Sequence, residues 1–157
     1  MDARSHMQNA AAIAGLGFGN SMAALAHGLG HALGVDFHIP HGRAVALFLP
    51  YTIEYALLGP EPTRYQTIAR FLGLPANNEQ VAGAELAQAV RKLEMSIHQP
   101  LSLSEMGIPV DAFESKLEHL VTNALTDTQT IMGTRVPEME DIQKLFKAAF
   151  FGYPIDF

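Results

Sequence analysis

From Asp2 to Leu33, Ala, Met, Leu and Ile recur at helical spacing, with Gly15, Gly17, Gly19, Gly28 and Gly30 interspersed. The pattern predicts one long helix or two nearly coaxial ones. Gly34, followed by the non-helical run Val35 to Pro40, reads as a stop and a short connection. A second helix is expected from near His41 through Val45, Leu47, Phe48, Leu49, Ile53, Tyr55, Leu57 and Leu58 to Gly59-Pro60. It is apolar nearly all round, as a buried central helix must be. A third spans Glu61 to Leu72 and stops at Gly73-Leu74-Pro75, and a fourth, capped by Asn77-Asn78-Glu79, runs to about His98. Leu103 to Gly107 reads as one short turn. Pro109 and Asp111 open a fifth helix through Phe113, Leu117, Leu120 and Val121, and Pro137-Glu138 opens a sixth through Ile142, Leu145, Phe146 and Ala149. No alternating strand pattern of useful length occurs. The expected fold is all-α, a bundle of about six helices in a single domain over residues 1–157, with Val45, Phe48, Leu49, Ile53, Leu117, Leu120, Ile142 and Leu145 largely buried.

Composition narrows the functional classes. Of 157 residues 48% are hydrophobic and 17% charged, enough apolar material for a sizeable core. Lys plus Arg number 10 against 16 for Asp plus Glu, a net charge of -6, so no basic surface gathers phosphates and nucleic acid is not an expected partner. The longest apolar run, Ala44 to Tyr51, contains Pro50 and soon meets Glu54, well short of the roughly 18 residues of a membrane span. The N-terminus lacks the basic start and apolar middle of a signal peptide, and cysteine is absent, so a cytoplasmic location is expected.

Candidate chemistry is concentrated in one stretch. Four of the seven histidines, His27, His31, His38 and His41, fall within fifteen positions. His27 and His31 are four apart, so a continuous helix places both imidazoles on one face, one turn apart. His41 follows Pro40 at a chain reversal, and a loop returning across the helix end would set it beside them. Such neutral imidazoles suit a divalent metal, although a catalytic zinc takes about three protein ligands. Hydrogen-bonded core histidines are the alternative. His38 reads as a loop residue. Gly15 to Gly19 looks like a nucleotide loop, but no strand precedes it, and close helix packing is the better reading.

The stretch from Ala26 to Glu54 resembles the C-terminal helical domain of the iron-containing (group III) alcohol dehydrogenases. The resemblance rests on His27-x-x-x-His31, then Pro40-His41-Gly42 ten residues on, then Leu49-Pro50-Tyr51. It extends upstream through Asn9-Ala10-Ala11 and Gly19-Asn20-Ser21, and downstream to Gly133-Thr134-Arg135 and Glu140-Asp141-Ile142. It implies that His27 and His41 are two of four metal ligands, and that His31 is a catalytic residue near nicotinamide and substrate. It also implies Fe²⁺ or Zn²⁺ and NAD(P) as cofactors and a small alcohol or aldehyde as substrate.

The family's nucleotide-binding domain and its Asp-x-x-x-His ligand pair have no counterpart in these residues. Asp2 and His6 share that spacing, but His6 precedes His27 by 21 residues, about 31 Å along a helix. The expectation is a metal-side catalytic domain, fragment or split subunit, inactive by itself and paired as a homodimer or with a separate nucleotide-binding subunit. Apolar positions around Leu25, Leu29, Phe37 and Ile39 would then be exposed for a partner. The alternative is a non-catalytic helical binding or assembly module.

Overall fold

The three strongest helix signals, at residues 41–57, 110–126 and 139–151, build the centre of the molecule. A computed structural model describes all 157 residues as seven helices and no strand: α1 Asp2–Ser21, α2 Leu25–Phe37, α3 His41–Leu57, α4 Tyr65–Phe71, α5 Glu79–Ser96, α6 Val110–Thr126 and α7 Met139–Phe151. Side-chain caps act where the sequence provides them. The Asn78 side chain accepts the Val81 N–H at 2.8 Å to open α5, and Glu138 and Asp141 form a reciprocal capping box on α7. The turn at Leu103 to Gly107 is present, its Leu103 N–H donating to the Ala149 carbonyl at 3.0 Å. No helix is long and apolar enough to cross a membrane.

The main core joins α2, α3, α6 and α7 through Leu29, Leu33, Leu47, Phe48, Leu120, Leu145 and Phe146, all fully buried. Phe48 and Phe146 meet edge to face with centroids 5.4 Å apart, the arrangement that the ring quadrupoles favour. A smaller cluster of Ile53, Leu86 and Ala87 fixes α5 on the opposite side of α3, so α3 is the central helix its composition predicts. Arg135 locks the chain end over it, since its Nη1 donates to the carbonyls of Tyr55 (3.0 Å) and Phe157 (2.8 Å) and its guanidinium lies 3.8 Å from the Tyr55 ring centre.

Of the two readings of the first helical run, the structure takes the two-helix one, with a break at Met22 to Ala24, where Met22 (φ 64°) and Ala24 (φ 58°) leave helical geometry. Other expectations are corrected. Gly34 does not stop α2, which runs on to Phe37 and ends at His38 in the left-handed conformation. Phe48, Ile53, Leu117, Leu120, Ile142 and Leu145 are buried, but Val45 is half-buried and Leu49 is 41% exposed beside a cleft. Leu25 and Leu29 are buried and Phe37 and Ile39 pack on the core, because α6 and α3 already cover that side of α2. Helix α1, by contrast, has no buried residue and presents Met7, Ile13, Leu16 and Phe18. A Cβ at Gly15, Gly17 or Gly19 would meet nothing within 4 Å, so these glycines make no close packing contact here.

Glu94 on α5 is 4% exposed, and neither carboxylate oxygen has a hydrogen-bond partner. Burial pushes its carboxyl up from 4.5 to about 7, against the opposing pull of Arg91. Arg91 is itself paired with Glu54 on α3. A raised native value means that the folded state holds the proton more tightly than the unfolded chain. This contribution to stability is therefore complete below about pH 4.5 and is lost as pH rises through about 7. Glu94→Gln should match the parent at pH 4.5 and exceed it at pH 8 by on the order of 2–3 kcal/mol. Urea denaturation at both pH values checks this, and equal pH dependence in the two proteins would refute it.

Candidate metal centre

The histidine cluster is assembled by glycines that let helices touch. A Cβ at Gly30 would lie 2.7 Å from Val45 Cγ2 and 2.9 Å from its Cα, so α3 crosses α2 at backbone contact. A Cβ at Gly28 would overlap Thr130 Oγ1 and stand 3.3 Å from Thr130 Cβ. At Gly34 it would stand 3.1 Å from the Ile39 carbonyl, which lets the chain turn tightly into Pro40 and His41. The short corner returns the first residue of α3 to the face that carries His27 and His31.

Three imidazoles meet there. Ring centroids are 5.7 Å apart for His27 and His31, 5.3 Å for His27 and His41, and 5.2 Å for His31 and His41, the last pair stacked. The predicted His27, His31 and His41 thus form one triangle, while His38 caps α2 in an exposed position. Asp2 and His6 lie on the exposed α1. No group of three or more His, Asp or Glu side chains is arranged to hold a metal ion.

Burial, reinforced by the neighbouring His41 and His31, lowers the His27 pKa and keeps its imidazole neutral. Its Nδ1 is buried without a hydrogen-bond partner. A neutral imidazole with an unsatisfied buried nitrogen fits a metal-binding role, because a metal takes the lone pair of the neutral ring. The nitrogen donors that the cluster could offer a divalent ion are the imidazoles of His27, His31 and His41.

The charged neighbour of the cluster that sequence pattern does not reveal is Asp127. Its Oδ2 lies 2.7 Å from His31 Nδ1, and its Oδ1 accepts the Gln129 N–H at 2.8 Å. Burial pushes the Asp127 carboxyl up, but the Gln129 N–H and His31 outweigh it and hold the group below its usual value. The sequence signal is an Asp-x-Gln turn after α6. Nothing in that turn points to its partner 96 positions earlier.

Two hollows adjoin the cluster. A basin of about 260 Å³ is formed by Gly30, His31, Gly34, Val35, Ile39 and His41. A larger apolar cleft of about 430 Å³ runs past Ala26, Leu49, Ile53, Ile68, Val90 and Met132. Of the clustered imidazoles, His31 and His41 line the smaller space, and none lines the larger.

The fold is thus an all-helical bundle that presents clustered imidazoles from a helix pair. The chain belongs to the Fe-containing alcohol dehydrogenase family, with residues 1–150 matching its C-terminal region. It is 31% identical over 156 residues to the NADPH-dependent butanol dehydrogenase of Clostridium saccharobutylicum, covering 99% of this chain and 40% of that protein. It is 30% identical to the 1,3-propanediol dehydrogenase of Citrobacter freundii, covering 96% of this chain and 38% of that protein. Among solved structures, the iron-containing alcohol dehydrogenase from Thermococcus thioreducens superposes with a TM-score of 0.84 at 28% identity, over 96% of this chain and 38% of that one. The chain thus spans about two fifths of the butanol dehydrogenase and a smaller share, 18%, of an aldehyde-alcohol dehydrogenase of Streptococcus pneumoniae.

The close approach at Gly30 yields a direct test. Gly30→Ala must push α3 from α2 and should cost about 1–3 kcal/mol, measured by denaturant unfolding. Gly15→Ala, with open space around it, should cost nothing and raise helicity.

Proposed function

We propose that this chain is the metal-side catalytic portion of an iron-dependent alcohol dehydrogenase, which oxidises small alcohols or reduces aldehydes with NAD(P). The observation that carries the reading is the imidazole triangle, in which the half-buried His27 is held neutral and its Nδ1 is buried without a hydrogen-bond partner. His27 and His41 would hold Fe²⁺, with Zn²⁺ the chemical alternative, and His31 would stand beside the reacting group. When bound, the metal supplies Lewis-acid polarisation of the substrate oxygen. His27, fixed in α2 and desolvated, offers its lone pair without first losing a proton. His41, exposed on the first turn of α3, faces the basin in which a small substrate fits. The remaining ligands and a nucleotide-binding surface would lie outside these residues, and a partner supplying them would be a second copy or a separate nucleotide-binding subunit. The exposed apolar residues of α1 support such a partner, and the lack of cysteine supports a cytoplasmic setting.

A non-catalytic assembly module is the second reading, favoured by the absence of any three-ligand group. Metal titration of the purified chain separates the two. Binding at about micromolar affinity or weaker, abolished in His27→Ala and in His41→Ala, is expected because two imidazoles lack a carboxylate and further ligands. Metal content unchanged in both variants would overturn the assignment. No NAD(P)-dependent turnover is expected from the isolated chain. Sedimentation at micromolar concentration should show concentration-dependent association, and a strict monomer would count against the homodimer.

A further inference from the structure

We infer that Asp127 is the positioning residue of His31, and that it fixes the proton of that imidazole on Nδ1. Its place in the mechanism rests on the function proposed above, whereas its geometry does not. Of the three clustered imidazoles, His31 alone has a carboxylate partner, at 2.7 Å from Nδ1. That carboxylate is held on both sides. Oδ1 accepts the Gln129 N–H, while Oδ2 faces His31, so the two oxygens are divided between the turn and the ring.

The turn is itself anchored at two further points, one just before α2 and one within it. Gln129 Oε1 accepts the Ala23 N–H at 2.7 Å. Thr130 donates its hydroxyl to the Ala124 carbonyl at 2.6 Å and fills the space left by Gly28. Residues 127–130 therefore grip α2 at positions 28 and 31 and the chain just before it at Ala23, on either side of His27. A surface ion pair needs no such framework, since exposed pairs contribute little and hold no fixed geometry.

An ionised carboxylate only accepts hydrogen bonds. Facing it at 2.7 Å, Nδ1 must carry the proton, and the neutral ring is left with its lone pair on Nε2, the nitrogen turned away from Asp127. Carboxylate partners fix histidine tautomers in this way in metal centres and catalytic triads alike. Under the proposed function, Nε2 of His31 is then the nitrogen able to accept a hydrogen bond from a group in the basin beside His41.

Asp127→Asn gives a sharp test, because the Asn side-chain oxygen must take over the Gln129 N–H. Its NH₂ then faces Nδ1 as a donor and forces the proton onto Nε2. Two-bond ¹H–¹⁵N correlation spectra of the imidazole-labelled, metal-free chain, in mildly alkaline buffer, read the tautomer directly. The wild-type His31 should show protonated Nδ1 and bare Nε2, Asp127→Asn should show the reverse, and Gln129→Ala should keep the wild-type pattern. A wild-type His31 protonated on Nε2 overturns the inference without recourse to any variant, as does an unchanged tautomer in a folded Asp127→Asn. The readout uses neither metal nor coenzyme. A reversed tautomer together with failed metal titration would leave the positioning role standing and remove the dehydrogenase reading.

Discussion

The backbone contact between α2 and α3 at Gly30 is the constraint on which the rest of the site depends. Packed helices usually lie 8–10 Å apart, a distance set by the side chains between them. Here Gly30 removes one of those side chains, and Val45 backbone atoms stand 2.9 Å from where its Cβ would be. Only at that separation does His41, the first residue of α3, reach imidazoles carried on α2. Gly28 and Gly34 extend the same logic, one admitting Thr130 and the other the Ile39 carbonyl. The three glycines of α2 thus each receive a different neighbour, and together they set the helix between its two flanks.

Polar balance separates the site from the remainder of the fold. The only buried side-chain atoms without a partner are His27 Nδ1 and the two Glu94 oxygens. Each carries a desolvation cost of about 1–3 kcal/mol. At Glu94 the chain limits that cost by holding the proton, since burial raises its pKa to about 7. His27 responds in the opposite sense: burial and two neighbouring imidazoles lower its pKa, so the ring stays neutral with its nitrogen unsatisfied. The first is a tolerated defect between α3 and α5. The second lies in the imidazole triangle, where the ring stays neutral beside His31 and His41.

Much of the fold and of the site is legible in the amino-acid sequence. The periodicity of residues 110–126 and 139–151 locates α6 and α7, and His27-x-x-x-His31 with Pro40-His41-Gly42 locates the triangle. The failures have specific causes. Gly34 is needed for close approach rather than for a left-handed turn, which falls on His38. Asp127 is not legible because a contact across 96 positions leaves no local periodicity. Leu25 and Leu29 belong at the surface only if a missing domain is what covers them, whereas α6 and α3 do so within the chain.

Helix α1 is the one element whose stability the chain does not explain. Isolated helices become marginal in water below about 12–15 residues even when rich in alanine. α1 has 20 residues, but Gly15, Gly17 and Gly19 lie in its second half, and each interior glycine costs about 1 kcal/mol relative to alanine. No buried side chain offsets that cost. Its exposed Ile13, Leu16 and Phe18 lie within two to three turns of Ala23, which lines the apolar cleft and is tied to the Asp127 turn through Gln129. In the proposed function, the surface that receives a partner is thereby joined through one hydrogen-bonded turn to the imidazoles that the partner completes. Docking of α1 and completion of the site would then draw on the same free energy.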